Sequence, residues 1–324
     1  MKNMTYRDAI KEAVREEMLR DPDVFIMGED VGVFGNVFKV FWGLYDEFGP
    51  ERVRSTPLSE MAIAGAAVGA ACLGSRPVAE IMYIDFMTVC LDPIINQAAK
   101  LCYNSGGQIK CPVVIRTQGG IGKSKGSHHS QSLEAWFAHT PGLITCMPST
   151  PADAKGMLKA AIRSNNPVIF IEHKLLYATV GPVPEDEDYI VPLGKGDVKV
   201  EGDDVTIVAT SYQVVNAIKA AKILKEKGIS AEVVDPRTLY PLDEDIIVNS
   251  VKKTGKAVVV QESPEKYGIA SEFAYLIQEK AFDYLDAPVK RVAPPHVVVP
   301  YSPALEDLVR PDAETIVKAV EEMF

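Results

Sequence analysis

Apolar positions in this chain fall into short, nearly continuous runs, separated by longer segments whose apolar residues recur at helical spacing. The runs are Val24-Phe25-Ile26-Met27, Val78–Met82, Pro112–Arg116, Leu143–Met147 and Val168–Glu172. Such runs suit strands buried on both faces. Helical patterns lie between them over 59–73, 92–103 and 151–164, and Thr5 with Asp8 forms a capping-box pattern that opens a helix running to about residue 20. The pattern lapses over 173–203, which holds Gly181, Pro182, Pro184, the acidic run Glu185–Asp188, Pro192, Gly194 and Gly196. A second alternation follows: Val205–Thr210, helix 212–227 closed by Gly228, Ala231–Asp235, helix 243–253, Ala257–Gln261, helix 269–281, Val289–Ala293 and a last helix over 313–322. Short strands alternating with longer helices predict parallel sheets with helices on both faces. The expected architecture is two parallel-sheet α/β domains in series, 1–185 and 204–324, joined by a linker over 186–203.

At 324 residues the chain has room for two cores. Its net charge of −10 and the lack of a Lys/Arg stripe argue against nucleic acid and for a basic protein partner. The five cysteines form no C-x-x-C pair and lie mostly in apolar runs, which points to buried, reduced thiols. The first twenty residues mix acids with bases and contain no apolar h-region, and no stretch is long enough to span a bilayer. These features predict a cytoplasmic, prokaryotic protein.

The residue of greatest chemical interest is Glu60. It closes Ser55-Thr56-Pro57-Leu58-Ser59-Glu60 and opens an Ala/Gly-rich run to Cys72. Pro57 disfavours helix before it, Ser59 is the expected N-cap, and the small apolar residues that follow predict a buried carboxylate. Burial raises a carboxyl pKa and favours sharing a proton with a ring nitrogen, the service a glutamate gives the aminopyrimidine of thiamine diphosphate. The alternative is an ordinary first-turn acid favoured by the helix dipole. Gly65 and Gly69, four apart on this helix, allow close approach either within the chain or across a subunit interface.

Two look-alikes carry less weight. Gly122-Lys123-Ser124-Lys125-Gly126 matches the G-x-S-x-G elbow of a serine hydrolase, and His296 tempts one toward a triad, but neither a strand before nor a helix after abuts Ser124. Gly119–Ser124 lacks the first P-loop glycine, because Thr117 stands there. What remains is a flexible basic loop, 118–130, ending in His128-His129, and of the two His129 is the candidate acid/base group.

Further motifs recur in order: Gly28-Glu29-Asp30-Val31, Thr56–Glu60, Asn96–Lys100, Ser105-Gly106-Gly107, His129-Ser130-Gln131, Pro141-Gly142-Leu143, Asp153–Gly156, Asn166-Pro167-Val168, Asp235–Leu239 and Pro241-Leu242-Asp243. Together the chain resembles the beta subunit of the thiamine diphosphate-dependent first component of 2-oxo acid dehydrogenase complexes. The resemblance implies a transketolase-like pyrimidine-binding domain followed by a transketolase C-terminal-like domain. It makes Glu60 the activating acid, puts Phe86, Met82 and Leu58 around the pyrimidine, and makes Glu29 a second acid in the cleft. His129 would assist acyl transfer to a lipoyl arm. Backbone carbonyls near Val113, Ala161, Ser164 and Asn166 would form a monovalent-cation site for K⁺. His128 departs from the Gln common in relatives. No Gly-Asp-Gly motif for Mg²⁺ and diphosphate occurs, so Mg²⁺ is expected on an alpha subunit of an α2β2 heterotetramer, alongside a lipoyl-bearing acyltransferase. The expected substrate is a 2-oxo acid of pyruvate type, or acetoin; Glu172–Tyr177 resembles those members more than branched-chain ones.

Overall fold

A computed structural model describes residues 1–324 and divides them into two compact units. The first comprises Met1–Gly119 and Trp136–Leu193, and the second Gly120–Ala135 and Gly194–Phe324. The segment 120–135 thus packs with the second unit, although in chain order it follows a strand of the first.

The first unit contains β1 (Lys2–Thr5), α1 (Tyr6–Arg20), β2 (Val24–Glu29), α2 (Leu44–Phe48), β3 (Val53–Thr56), α3 (Glu60–Cys72), β4 (Arg76–Ile81), α4 (Ala99–Asn104) and β5 (Val114–Gly119). After α5 (Glu134–Ala138) come β6 (Ile144–Cys146), α6 (Pro151–Arg163), β7 (Val168–His173) and β8 (Val180–Val183). Within this unit the strands lie in the order β6-β7-β5-β4-β2-β3, all parallel. The predicted Thr5 cap is present: its hydroxyl accepts from the Asp8 amide at 3.0 Å. The stretch expected as one helix over 92–103 is a π-helical turn, Asp92–Ala98, running into α4. The stretch 173–203, where the alternation lapses, contains β8, which pairs antiparallel with β1. Its Pro182 interrupts the apolar pattern, and proline is tolerated within sheets on edge strands such as this one. α1 packs on α6 through two fully buried lysines: Lys155 reaches Glu12 and Glu16 at 2.7 Å each, and Lys159 reaches Glu16 at 2.5 Å.

The second unit holds β9 (Asp197–Val200), β10 (Val205–Ala209), α7 (Tyr212–Glu226), β11 (Ala231–Asp235), β12 (Thr238–Tyr240), α8 (Glu244–Thr254), β13 (Ala257–Val260), α9 (Ile269–Ala281), β14 (Lys290–Val292), α10 (Pro303–Val309) and α11 (Ala313–Glu321). Its sheet order is β14-β13-β10-β11-β9, parallel except for β9, an unforeseen antiparallel edge strand. Val205, Ile207, Val233, Val258 and Val260 pack under α7 and α11 to form its core. No helix in either unit is long and apolar enough to cross a membrane.

At the centre of the first sheet, three interior strand positions are ionisable. Parallel register sets Glu80 of β4 opposite Arg116 of β5 and Glu172 of β7 opposite Gln118. The fully buried Arg116 guanidinium bonds Glu172 twice, at 2.6 and 2.7 Å, and Glu80 at 2.5 Å. Tyr177 donates to Glu172 at 2.6 Å, and Asn36 donates to both Glu80 oxygens at 2.8 and 2.7 Å. Asn36 Oδ1 in turn accepts from the amides of Phe38 and Val40, so the triad organises the loop after β2. That loop needs such help: Asp30, Gly35, Asn36 and Lys39 all have positive φ, and a Cβ at Gly35 would lie 2.3 Å from the Trp42 amide.

Removing one partner from a buried ion network strands the others. Arg116→Leu leaves two buried carboxylates facing each other and should cost about 3–5 kcal/mol in urea denaturation. A loss below about 1 kcal/mol, the range of an exposed pair, contradicts a dry triad.

Candidate active site

Strand order in the first unit reverses around β2. The chain passes from β2 to β3 on one side, then crosses back to β4 on the other. In open parallel sheets the crevice beyond the strand C-termini at such a switch point is where ligands bind. Glu29 is the last residue of β2, Leu58 and Glu60 follow β3, and Met82 and Phe86 follow β4. The five residues expected around the pyrimidine therefore all leave strand ends at one switch point.

The electrostatics single out Glu29. It is buried, and its carboxyl pKa is pushed up to about 7, first by burial and then by the negative charges of Glu60, Glu80 and Asp30. Glu60 departs from expectation. It begins α3 with Ser59 at the N-cap, but the Ser59 side chain makes no capping bond, and Glu60 itself is only half-buried. The reason lies in α3: Ile63, Ala64, Ala67, Val68 and Ala71 face the unit's own core, while Met61, Ala62, Ala66 and Gly69 face outward. Leu58 is 81% exposed, and a Cβ at Gly65 or Gly69 would meet nothing within 4 Å. The glycines are thus not used for close approach within this chain. Met82 and Phe86 are partly buried. Cys90, one turn beyond Phe86, has its thiol pushed up to about 12 by burial and by the Glu60 charge. All five cysteines are free.

The carbonyls expected to bind a cation lie where α6 ends beside the start of β5. Val113 O accepts from the Val168 amide at 2.9 Å and Ala161 O from the Ser164 amide at 3.2 Å. Arg76 donates to Ile162 O and Ser164 O at 3.0 Å each, and to Asn165 Oδ1 at 2.8 Å. The Asn166 amide bonds the Ser164 hydroxyl. A guanidinium thus already neutralises this helix C-terminus, a role sequence reading missed.

In the second unit, His129 is half-buried and His128 exposed, with His128 Nδ1 3.1 Å from the Ser127 hydroxyl. His128, not His129, lines a cavity of about 570 Å³. His296, Glu262 and Gln131 join it there, against an apolar wall that includes Val297, Val298 and Val299. Ser124 forms no hydrolase elbow: it sits at φ 51° in an irregular loop, and no helix begins until Glu134.

The transketolase pyrimidine-binding domain family matches residues 2–179, and the transketolase C-terminal domain family matches 194–316. The 2-oxoisovalerate dehydrogenase subunit beta of Bacillus subtilis (strain 168) is 50% identical over 96% of this chain and 96% of its own length. The chain belongs to the transketolase-like beta subunits of 2-oxo acid and acetoin dehydrogenases. A second member, the acetoin:2,6-dichlorophenolindophenol oxidoreductase subunit beta of the same organism, is 46% identical over 98% of this chain and 96% of its own length. The pyruvate dehydrogenase E1 component subunit beta of Rhizobium meliloti (strain 1021) is 44% identical over 99% of this chain and 70% of its own length. Among solved structures, a split-gene transketolase described as an inactive beta4 tetramer superposes with a TM-score of 0.79 at 25% identity, covering 99% and 98% of the two chains.

These family identities, 50, 46 and 44%, do not separate the substrate classes. Nor does Glu172–Tyr177, whose two ends serve the buried Arg116 triad. The triad itself escaped the sequence reading. Its signal was one charge in each of three apolar strand runs, Glu80 opposite Arg116 in register and Glu172 two residues along from Arg116's partner Phe170, on the same face of the sheet.

Glu29 gives a pH test. Its folded pKa, about 7, lies above the carboxylate's ordinary value of 4.5. The protonated form is therefore the stable one in the fold, and stability is lost as pH rises through that window. Glu29→Gln cannot ionise, so its melting temperature should gain on the wild type between pH 5 and pH 8. Parallel melting curves across that range would contradict the shift.

Proposed function

We propose that this chain is the beta subunit of an α2β2, thiamine diphosphate-dependent 2-oxo acid dehydrogenase. It decarboxylates a 2-oxo acid of pyruvate type and passes the acyl group to the lipoyl arm of an acyltransferase. The observation that carries this reading is the meeting, at one switch-point crevice, of a half-exposed glutamate on a helix N-terminus and a buried glutamate whose carboxyl is pushed up to about 7. Acetoin is the second substrate reading, favoured by the 46% identical relative whose name specifies it.

The residues present fit the pyrimidine half of the cofactor. Thiamine diphosphate, when bound, supplies the electron sink for breaking the bond beside a carbonyl. Glu60, half-exposed at the start of α3, would hold the pyrimidine by donating from its carboxyl to a ring nitrogen and sharing that proton with it. Phe86, Met82 and Leu58 offer apolar surface beside it. Glu29, its carboxyl pushed up to about 7, is partly protonated near neutral pH and so stands beside Glu60 without a full second negative charge. His129 is assigned proton donation during acyl transfer.

An alpha subunit would bring Mg²⁺ and the diphosphate site. The outward face of α3, with Leu58, Met61 and the open Gly65 and Gly69 positions, supports such a partner. A monovalent cation such as K⁺ would share the Val113, Ala161, Ser164 and Asn166 region with Arg76.

Glu60→Gln in the co-purified α/β enzyme should lower 2-oxo acid-dependent dye reduction by at least about 100-fold. Co-purification with the alpha subunit should be unchanged. Rates within about twofold of wild type contradict the role given to Glu60.

A further inference from the structure

The segment 120–131 follows β5 and ends in His128 and His129, yet almost none of its backbone belongs to a sheet or helix. Such a segment has to take its hydrogen bonds from elsewhere. Gly120 N donates to Gln131 O at 3.0 Å and closes the base. Beyond that, two side chains from the second unit reach in. Glu262, just past β13, accepts from the Ile121 amide through Oε1. Glu306 of α10 accepts from the Ser124 amide at 3.2 Å. Both acids are buried, at 9% and 4% exposure.

Neither contact is casual. Glu262 is fixed by Gln213, whose Nε2 donates to Oε2 at 2.9 Å, and Gln213 is fixed by Asn216, which also bonds Pro311 O at 3.1 Å. Lys123 and Ser124 lie consecutively in left-handed backbone, at φ 66° and 51°. Non-glycine residues keep that conformation only where their surroundings over-determine it. The Ser124 amide bond to Glu306 is one such constraint. The Tyr301 ring packs against the same turn: a Cβ at Gly126, itself at φ 68°, would lie 2.3 Å from it.

We propose that Glu262 and Glu306 are positioning residues that clamp segment 120–126 to the frame of the second unit and thereby fix the approach to His128 and His129. The consequence for acyl transfer rests on the function proposed above; the clamp itself does not. It gives the second unit a part in the reaction beyond assembly.

The test uses the assembled α/β enzyme and trypsin. Lys123 and Lys125 are exposed within the clamped segment, so cleavage after them, mapped by mass spectrometry, reports release of the loop. Glu262→Ala and Glu306→Ala should each speed cleavage at these two lysines at least tenfold, with no new sites elsewhere. Glu262→Gln, which keeps an acceptor for the Ile121 amide, should restore most of the protection. In Glu262→Ala the lipoyl-dependent kcat should fall about tenfold, while KM for the 2-oxo acid and dye reduction stay at wild-type values. If Glu262→Ala does not assemble, Glu306→Ala carries the same cleavage test. Wild-type cleavage rates in the assembled variants overturn the clamp. Faster cleavage with an unchanged lipoyl-dependent rate upholds the clamp and instead removes this segment from acyl transfer, so the two failures are distinguishable.

Discussion

The Arg116 guanidinium, held between Glu80 and Glu172 inside the first sheet, is the interaction on which the active-site end of this unit depends. Two carboxylates and one cation cannot balance, and burial lifts Glu172 to about 6 even though Arg116 opposes the rise. Well-packed apolar residues would fill such a place at no cost in stability, so the triad is better explained by what it orients. Through Glu80 it grips Asn36, and Asn36 sets a loop whose backbone repeatedly enters left-handed conformations. That loop begins directly after Glu29. Arg116 also lies over the Phe41 ring, 4.7 Å from its centroid, which ties the far end of the loop to the same cation.

Glu29 and Glu60 lie at one crevice in different surroundings. Glu29 is buried at the strand end, and burial with the charges of Glu60, Glu80 and Asp30 pushes its carboxyl up to about 7. Glu60 sits at a helix start with part of its surface open, where a ligand or a partner can complete its surroundings. The outward face of α3 around it is apolar and small, and it carries no internal packing at Gly65 and Gly69. In the function proposed above, this half-exposed glutamate and its apolar border would be one half of a site that a partner completes.

Most of the architecture was legible in the sequence because strands buried on both faces write long apolar runs, and α1, α6, α7, α8, α9 and α11 carry clear helical periods. The misses have physical causes. β8 and β9 are short edge strands in a Pro- and Gly-rich stretch, and β3 is four residues long with two exposed positions. The gathering of Glu29, Leu58, Glu60, Met82 and Phe86 depended on strand order, which local pattern cannot reveal, and came instead from ordered motifs. The burial expected for Glu60 failed because the sequence does not say which face of an Ala/Gly helix turns inward. The Arg116 triad and the Glu262–Glu306 clamp are long-range pairings, invisible until register and topology bring them together.

The most direct measurement of the central claim is native mass spectrometry of this chain, alone and co-expressed with its alpha subunit, in thiamine diphosphate and Mg²⁺. The half-site account predicts an α2β2 assembly that retains cofactor and metal, and no retained cofactor on the chain alone. Stoichiometric thiamine diphosphate and Mg²⁺ on a monomer or homodimer of this chain would contradict it.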